Sequence, residues 1–373
     1  MTNQKPIAKT PSNPKATKAT SPQSPSAEQK WLDTIAAFPE ANFLQSPEYG
    51  KMNELLGEKV ITEEFGKTGR AQMIVRDAKR GRYLGIPCGP LIDWSDKGVA
   101  KDTLKRIAAI AKAEKCVFVR IRPQLLASRE NLQLLADLGL KKSPMHLAAE
   151  HTVMIDLSKT EDELLAAMRR QTRYDVRRAT KLGITVRRDN SEAIFKEFHE
   201  IQLATARRQG FVPPNLKTLL AEREAFLGHI WIYIAETTAS ACTNSATQST
   251  KQSSTDPENP PQPIAYGLII ANGKEGDYYE AASTPLNRKL PGAHALLWKA
   301  MKDLKNEGYE RFNLWGIAPA GQPNHRYAGV TTFKTGFGGD IVEYVPAHDL
   351  VISQVGYLKD LIVEKARKKR RHL

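Results

Sequence analysis

Val330-Thr331-Thr332-Phe333-Lys334-Thr335-Gly336-Phe337-Gly338-Gly339-Asp340, running on through residues 341–344, is the stretch on which the reading of this chain turns. One lysine stands between two phenylalanines, beside three glycines and ahead of an apolar, strand-like run. Glycine lets backbone approach a ligand closely and supplies positive-φ turns that other residues resist. A lysine at the mouth of such a turn can set its ammonium against negative charge developing on a reacting acyl group or phosphate. The same residues fit a plain strand–turn–strand corner with a solvated lysine, so the rest of the chain has to arbitrate.

Outward from this stretch, strand and helix patterns mix. Short apolar runs at 71–75, 117–121, 153–157, 184–187, 230–235, 264–270, 277–281 and 311–314 have the length of strands. Helical spacing marks 101–113, 129–138, 161–182, 192–209 and 293–307, and Gly139, Gly183 and Gly308 end helices as left-handed caps do. Thr160 with Glu163 is a capping box that opens the 161–182 helix. A helix–Gly–strand unit occurs around Gly139 and again around Gly308. The pattern predicts a mixed α/β (α+β) chain of two similarly sized units, with the boundary near 146–152.

The totals agree. A chain of 373 residues exceeds one ordinary core and points to two domains with appendages. No apolar run approaches the ~18 residues of a membrane span, and the polar N-terminus lacks a signal-type apolar region. Three cysteines, Cys88, Cys116 and Cys242, show no CxxC spacing, as a reducing compartment permits. These features predict a cytoplasmic protein. No HExxH-type histidine pair is present, so no metal is assigned. The formal charge of +14 gathers at the ends, with +4 in residues 1–30 and +5 in 359–373. Such ends suit nucleic acid or an anionic lipid surface, or serve only as solubilising tails. Residues 1–28 and 237–263, rich in Ser, Thr, Pro and Lys, read as a disordered tail and a surface insertion.

Several constellations are candidates for chemistry. Arg170, Arg173, Arg177 and Lys181 share one helical stripe, which fits either a phosphate-bearing partner or a solvated face. Arg207 and Arg208 end a helix, where basic residues also serve as dipole partners. The loop Asn287-Arg288-Lys289-Leu290-Pro291-Gly292 leads into a helix N-terminus that can receive an anion, although the two-glycine spacing of acyl-CoA enzymes is absent. Cys88, in Pro87-Cys88-Gly89-Pro90, has no evident base beside it and reads as a small buried residue.

Taken in order, these pieces resemble the FemABX family of aminoacyl-tRNA-dependent transferases. The resemblance rests on Asn42-Phe43-Leu44-Gln45-Ser46 with Tyr49 and Lys51; residues 87–90; the helix with Arg173 and Arg177 ending at Gly183; and Thr205, Arg208, Gly210 and Phe211. It continues through Tyr279-Glu280-Ala281-Ala282-Ser283 to Trp298, Gly308, Gly316-Ile317 and Phe333-Lys334 with Gly338-Gly339. It implies two tandem N-acetyltransferase-like (GNAT-like) domains without a coiled-coil arm. The first would span 29–148, with 346–373 returning to it, and the second 149–345. Two positions depart from the family pattern: Arg122 stands where an acidic residue is frequent, and Asn313 where aspartate is.

The resemblance further implies transfer of an amino acid from aminoacyl-tRNA to the stem peptide or bridge of a peptidoglycan precursor, either UDP-MurNAc-peptide or lipid II. No cofactor is implied. Lys334 would stabilise the oxyanion or the leaving ribose oxygen, with Phe333 as pocket wall. Lys51 and Arg208 would meet the precursor's phosphates, and Tyr279 would hydrogen-bond in the cleft. A monomer, at the inner face of the plasma membrane through its basic ends, is the expected setting. The alternatives are an acyl-CoA-dependent N-acyltransferase and an inactive relative that binds RNA or precursor. Deleting residues 359–373 is expected to weaken binding to tRNA or anionic vesicles at low salt and less so at high salt, measured by co-sedimentation. Unchanged binding at low salt would refute a role for that end.

Overall fold

The computed structural model describes residues 26–78, 81–237 and 261–371, so most of the expected tail and insertion lies outside the described residues. Two mixed sheets carry the chain. The first orders its strands β1-β2-β3-β4-β13-β5: Lys59–Phe65, Gly69–Ala78, Gly81–Pro87, Phe118–Arg122, His348–Val351 and Lys141–Lys142. Its β3 and β4 run parallel, and helix α3 (Lys97–Ala113) lies in the crossover such a pair requires. Helix α4 (Arg129–Asp137) leads from β4 towards β5. The last sheet strand, β13, is inserted between β4 and β5, and helix α11 (Gln354–Arg371) follows it.

The second sheet has the order β12-β6-β11-β10-β9-β8-β7. Its strands are Asp340–Glu343, His151–Asp156, Arg311–Gly316, Glu275–Ser283, Gln262–Asn272, Ile230–Thr237 and Thr185–Asp189. The near-continuous apolar runs of β8 and β9 arise because both faces of these strands are covered. Tyr233, Ala235, Ala265 and Ile269 face one core, with α5 (Glu161–Ala167), α6 (Arg170–Lys181) and α9 (Gly292–Asn306). Ile232, Ile234, Tyr266 and Leu268 face the other, with α7 (Glu192–Gln209) and α8 (Leu216–Ala225).

That second core is shared between the two sheets' units. Phe43 and Leu44, and Met52 of α2 (Pro47–Leu55), are buried in it although they precede the first sheet. Phe43 sets its ring edge-on to Tyr279 at 5.2 Å and Phe226 at 5.8 Å, a geometry favoured by the ring quadrupoles. Its neighbours complete the joint. Asn42 Nδ2 donates to Glu275 Oε1 (2.9 Å) and Asp277 Oδ1 (3.2 Å) of β10. Gln45 Nε2 donates to Pro87 O (2.7 Å) of β3, and its Oε1 accepts from Gln72 N (2.8 Å) of β2. Helix α1 (Ala27–Ala37), which begins inside the segment expected to be disordered, adds Trp31 Nε1 to Asn272 Oδ1 at 2.8 Å.

One helix departs from expectation. The 161–182 segment is not continuous: α5 ends at Ala167, Met168 is extended (ψ 144°), and α6 begins at Arg170. No glycine or proline marks the break. Its cause is tertiary: Arg169 N donates to Gly336 O (2.8 Å) and its guanidinium to Thr332 O (3.0 Å), so the 330–340 stretch docks into the gap. Nor is that stretch the strand–turn–strand corner of the alternative reading, because 328–335 forms helix α10 (Ala328–Thr335) before the turn into β12.

The turn admits only glycine. Gly338 (φ 83°) has Ala167 O 2.8 Å from where a Cβ would stand, and Gly339 (φ 82°) has Met154 O closer still. Both obstacles are backbone and cannot swing aside. Gly339→Ala is therefore expected to destabilise the fold by about 2–4 kcal/mol, the sum of left-handed strain and a backbone clash. Equilibrium urea denaturation measures it, and a loss below about 0.5 kcal/mol would contradict this account of the turn.

Candidate active site

The parallel ladder between β10 and β11 is short. It pairs Glu275, Gly276 and Asp277 with Arg311, Phe312 and Asn313, then stops. Beyond it β11 shifts register against β6, and Trp315 takes a left-handed φ of 61°. Asn313 holds this bend: its Oδ1 accepts from Trp315 N (2.9 Å) and from Thr152 Oγ1, while its Nδ2 donates to Glu275 Oε1 (3.2 Å). An aspartate at 313 could not make that last bond, which accounts locally for the departure from the family pattern. The strands thus open into a V whose walls are backbone and aromatic rings.

Lys334 bridges the V. From the last turn of α10 its Nζ donates to Gly316 O of β11 at 2.9 Å and sits 5.8 Å from the Tyr278 ring of β10. The residue is only 8% exposed. Burial pushes its ammonium down to about 7, so the charged form is held at a cost and strengthens when an anion arrives. Phe333 stands beside it, edge-on to His294 (5.0 Å) and Phe337 (5.3 Å), and forms an apolar wall. Burial also lowers the His294 imidazole, favouring its neutral form.

The opposite face of β10 looks onto the joint between the units. A β-bulge between Tyr278 and Glu280 gives β10 one extra residue against β9, so Tyr279 and Glu280 both face this side. Tyr279 lines a cavity of about 470 Å³ with Tyr49, Asn53 and Arg76 of the first unit and Lys217 and Glu222 of α8. Gln202 Nε2 of α7 donates to Glu280 Oε2 at 2.6 Å. Burial and the Glu280 charge raise the Glu222 carboxyl well above the usual range. Burial raises Glu280 to about 7, opposed by the Gln202 bond. A larger cavity of about 930 Å³, lined by Phe38, Phe65 and Trp94, lies on the first unit and includes no residue expected to be functional.

The expected residues divide between these faces. Tyr279 and Arg208 share the joint face, where Arg208 Nη2 bonds Thr205 Oγ1 (3.1 Å) and the carbonyl of Ser283, at the end of β10. Lys51 is exposed on α2, the helix that packs against α8. Phe333 and Lys334 lie on the other side of the sheet. Arg177 is exposed on α6, flanked by Tyr174, which is 57% exposed. Arg173 is not available in the same way: its Nη1 donates to Leu165, Ala166 and Met168 carbonyls at 3.0–3.2 Å, closing the end of α5. The stripe is therefore interrupted, because the helix break creates orphan carbonyls that Arg173 satisfies.

Two other features carry less chemistry. At the α9 N-terminus, Ala293 N already bonds Asn287 Oδ1 (3.0 Å) and Gly292 N bonds Leu290 O (2.9 Å), which occupies amides that an acyl-CoA pyrophosphate would need. Cys88 is buried, and that burial pushes its thiol up to about 12, the reverse of a nucleophile. Its neighbour is the buried Arg122, whose Nη2 donates to Cys88 Sγ at 2.8 Å and whose guanidinium lies 5.0 Å from the Tyr344 ring. Sequence reasoning missed Glu222, Glu280 and Gln202. A glutamate inside the aromatic strand run Tyr278-Tyr279-Glu280 was the one signal available.

The burial of Lys334 has a stability consequence. Its pKa of about 7 in the folded chain lies below the ordinary 10.5, so the unfolded chain binds that proton more tightly. The penalty is complete below pH 7 and fades as pH rises towards 10.5. Lys334→Met is expected to be more stable than the parent by about 2–4 kcal/mol at pH 6, with the gap narrowing by pH 9. Urea denaturation at both pH values checks this, and a less stable variant at pH 6 would contradict it.

Comparison with known proteins agrees with this architecture. The family model described as FemAB family matches residues 31–137, 139–253 and 234–365. Lipid II:glycine glycyltransferase of Staphylococcus aureus is 28% identical over 197 residues, covering 49% of this chain and 47% of that protein. The chain thus spans about half the length of the curated relatives it matches. The crystal structure of FemX superposes with a TM-score of 0.76 over 92% of this chain and 99% of its own, at 19% identity. A tandem GNAT protein from the clavulanic acid biosynthesis pathway gives 0.50 over 87% and 94%, at 10% identity. The fold is therefore two GNAT-like units in tandem, and with a family match running through both units, the chain belongs to the FemAB family.

Proposed function

We propose that the protein transfers an aminoacyl group from aminoacyl-tRNA to a primary amine on the stem peptide or bridge of a peptidoglycan precursor. The observation that carries this reading is the Lys334 ammonium spanning the V between Tyr278 and Gly316. An ester of tRNA is already activated, so attack by an amine needs no covalent enzyme intermediate. It does need charge stabilisation on the carbonyl oxygen, and a poorly solvated ammonium supplies that strongly. Family membership supports the same reading, as does likeness to a protein named for glycine transfer to lipid II.

In this reading Lys51 and Arg208 meet the precursor's phosphates, Tyr279 hydrogen-bonds its peptide, and Phe333 walls the acyl site. Arg177 and its exposed neighbours on α6 meet donor phosphates. The first domain is 29–148 with 346–373, and the second is 149–345. The protein works as a monomer on the cytoplasmic side of the membrane, with UDP-MurNAc-peptide or lipid II as acceptor.

The test is incubation of the purified protein with charged tRNA pools and either precursor, with product masses read by mass spectrometry. Addition of one aminoacyl mass is expected, with none from acetyl-CoA. Lys334→Ala is expected to lower kcat by about 10²–10³-fold, the loss typical for one oxyanion donor. Wild-type turnover by that variant, or acetyl transfer in place of aminoacyl transfer, would refute the assignment.

A further inference from the structure

We propose that Glu280 is the general base of the transfer and that, with Glu222 and Gln202 behind it, it forms the binding site for the acceptor's primary ammonium. This rests on the aminoacyl-transfer reading and adds to it the group that activates the nucleophile. Three observations converge. The bulge in β10 turns Glu280 onto the joint face beside Tyr279, where it remains partly open to solvent. Behind it, Glu222 Oε2 and Gln202 Oε1 have no hydrogen-bond partner among the described residues, although these residues are only 4% and 2% exposed. Glu222 and Tyr279 line the 470 Å³ cavity that opens between the two units.

A primary ammonium has three donors and no acceptor. Glu280, Glu222 and Gln202 offer acceptor oxygens to match. The charged and titratable groups around them are Tyr49 and Arg76 from the first unit, Asp277 and Tyr279 on β10, Arg208 on α7 and Lys217 on α8. Arg76 is already held by Glu58 (3.2 Å) and by Asn53 Oδ1 (2.7 Å). No bond from a cationic side chain to Glu222 or Glu280 is found among the described residues, and buried carboxyls left so are costly to a fold. A ligand cation relieves that cost.

The step balances. The acceptor ammonium gives one proton to the Glu280 carboxylate, and the freed lone pair attacks the ester carbonyl carbon. A C–N bond forms, Lys334 stabilises the oxyanion from the other face of the V, and the ester C–O bond breaks. The second nitrogen proton ends on the departing ribose oxygen, and Glu280 then releases its proton to solvent. Across the bulge Tyr278 and Glu280 oppose consecutive residues of β9, Ile269 and Leu268, so they advance only about 3.4 Å along the sheet. Donor and acceptor thus approach from opposite faces of one sheet.

Glu280→Gln, which keeps the side chain's shape, tests this with saturating aminoacyl-tRNA and two acceptors. One is the precursor peptide, whose amine is cationic at pH 7. The other is hydroxylamine, whose nitrogen is already neutral there. The expected result is an about 10²–10³-fold loss of kcat with the peptide, loss of the acid limb of its pH profile, and near-parental turnover of hydroxylamine above the uncatalysed rate. tRNA binding by gel shift should match the parent, showing an intact donor side. Equal loss with both acceptors, or no loss with the peptide, overturns the base assignment while leaving the transferase reading standing. A parent protein inert toward every aminoacyl-tRNA overturns both.

Discussion

One ammonium, bonded to one backbone carbonyl across an unpaired stretch of sheet, is the interaction on which the rest depends. Lys334 Nζ reaches Gly316 O at 2.9 Å only because three constraints coincide. Trp315 is bent into left-handed backbone by Asn313, which turns the Gly316 carbonyl into the gap. Helix α10 docks through Arg169 into a break between α5 and α6. Gly338 and Gly339 then let the chain pass Ala167 and Met154 closely enough to start β12. Burial disfavours the charge that results, so the fold gives up stability at the residue proposed here to stabilise the oxyanion.

The two units are joined by equally specific means. The 42–46 segment sends a polar side chain into each sheet, Asn42 to β10 and Gln45 to β2 and β3, with Phe43 between them in the shared core. On the far side, Arg120 of β4 pairs with Asp349 of β13 through two bonds of 2.7 and 2.9 Å and with Glu364 of α11 at 2.8 Å. Burying such a cluster contributes little net stability, but breaking it would leave a charge stranded. It fixes where the returning chain lies. The cavity holding Tyr49, Glu222 and Tyr279 therefore has its walls set from both units.

Much of this was legible in the sequence for physical reasons. Apolar runs at 230–235 and 264–270 announced strands, which the fold covers on both faces, and the Thr160–Glu163 box formed as read. The helix break at Met168 was not legible, since its cause is a segment some 170 residues away and neither glycine nor proline marks it. For the same reason the stripe of Arg170, Arg173, Arg177 and Lys181 looked uniform, whereas Arg173 caps α5. The family resemblance pointed to Phe333 and Lys334 and quoted Glu280 only as part of a motif, without a role and with no sight of its pairing with Glu222. Glu222 and Glu280 are 58 residues apart in sequence and meet only because α8 and a bulged β10 are brought together.

That bulge bears on how one sheet could serve the two large substrates proposed here. With Tyr278 on the Lys334 side, regular alternation along β10 would leave Tyr279 alone of the 278–280 run on the joint and return Glu280 to the Lys334 side. The extra residue instead keeps Tyr278 with the core behind Lys334 and moves both Tyr279 and Glu280 to the cavity side. An acyl donor and an amine acceptor each carrying phosphates would repel if crowded onto one face. In the proposed arrangement they lie on opposite faces, which would separate those charges and bring the reacting atoms together at the V. Under the proposed reaction, the parting of the strands would thus also favour a small nucleophile at the end of a flexible chain.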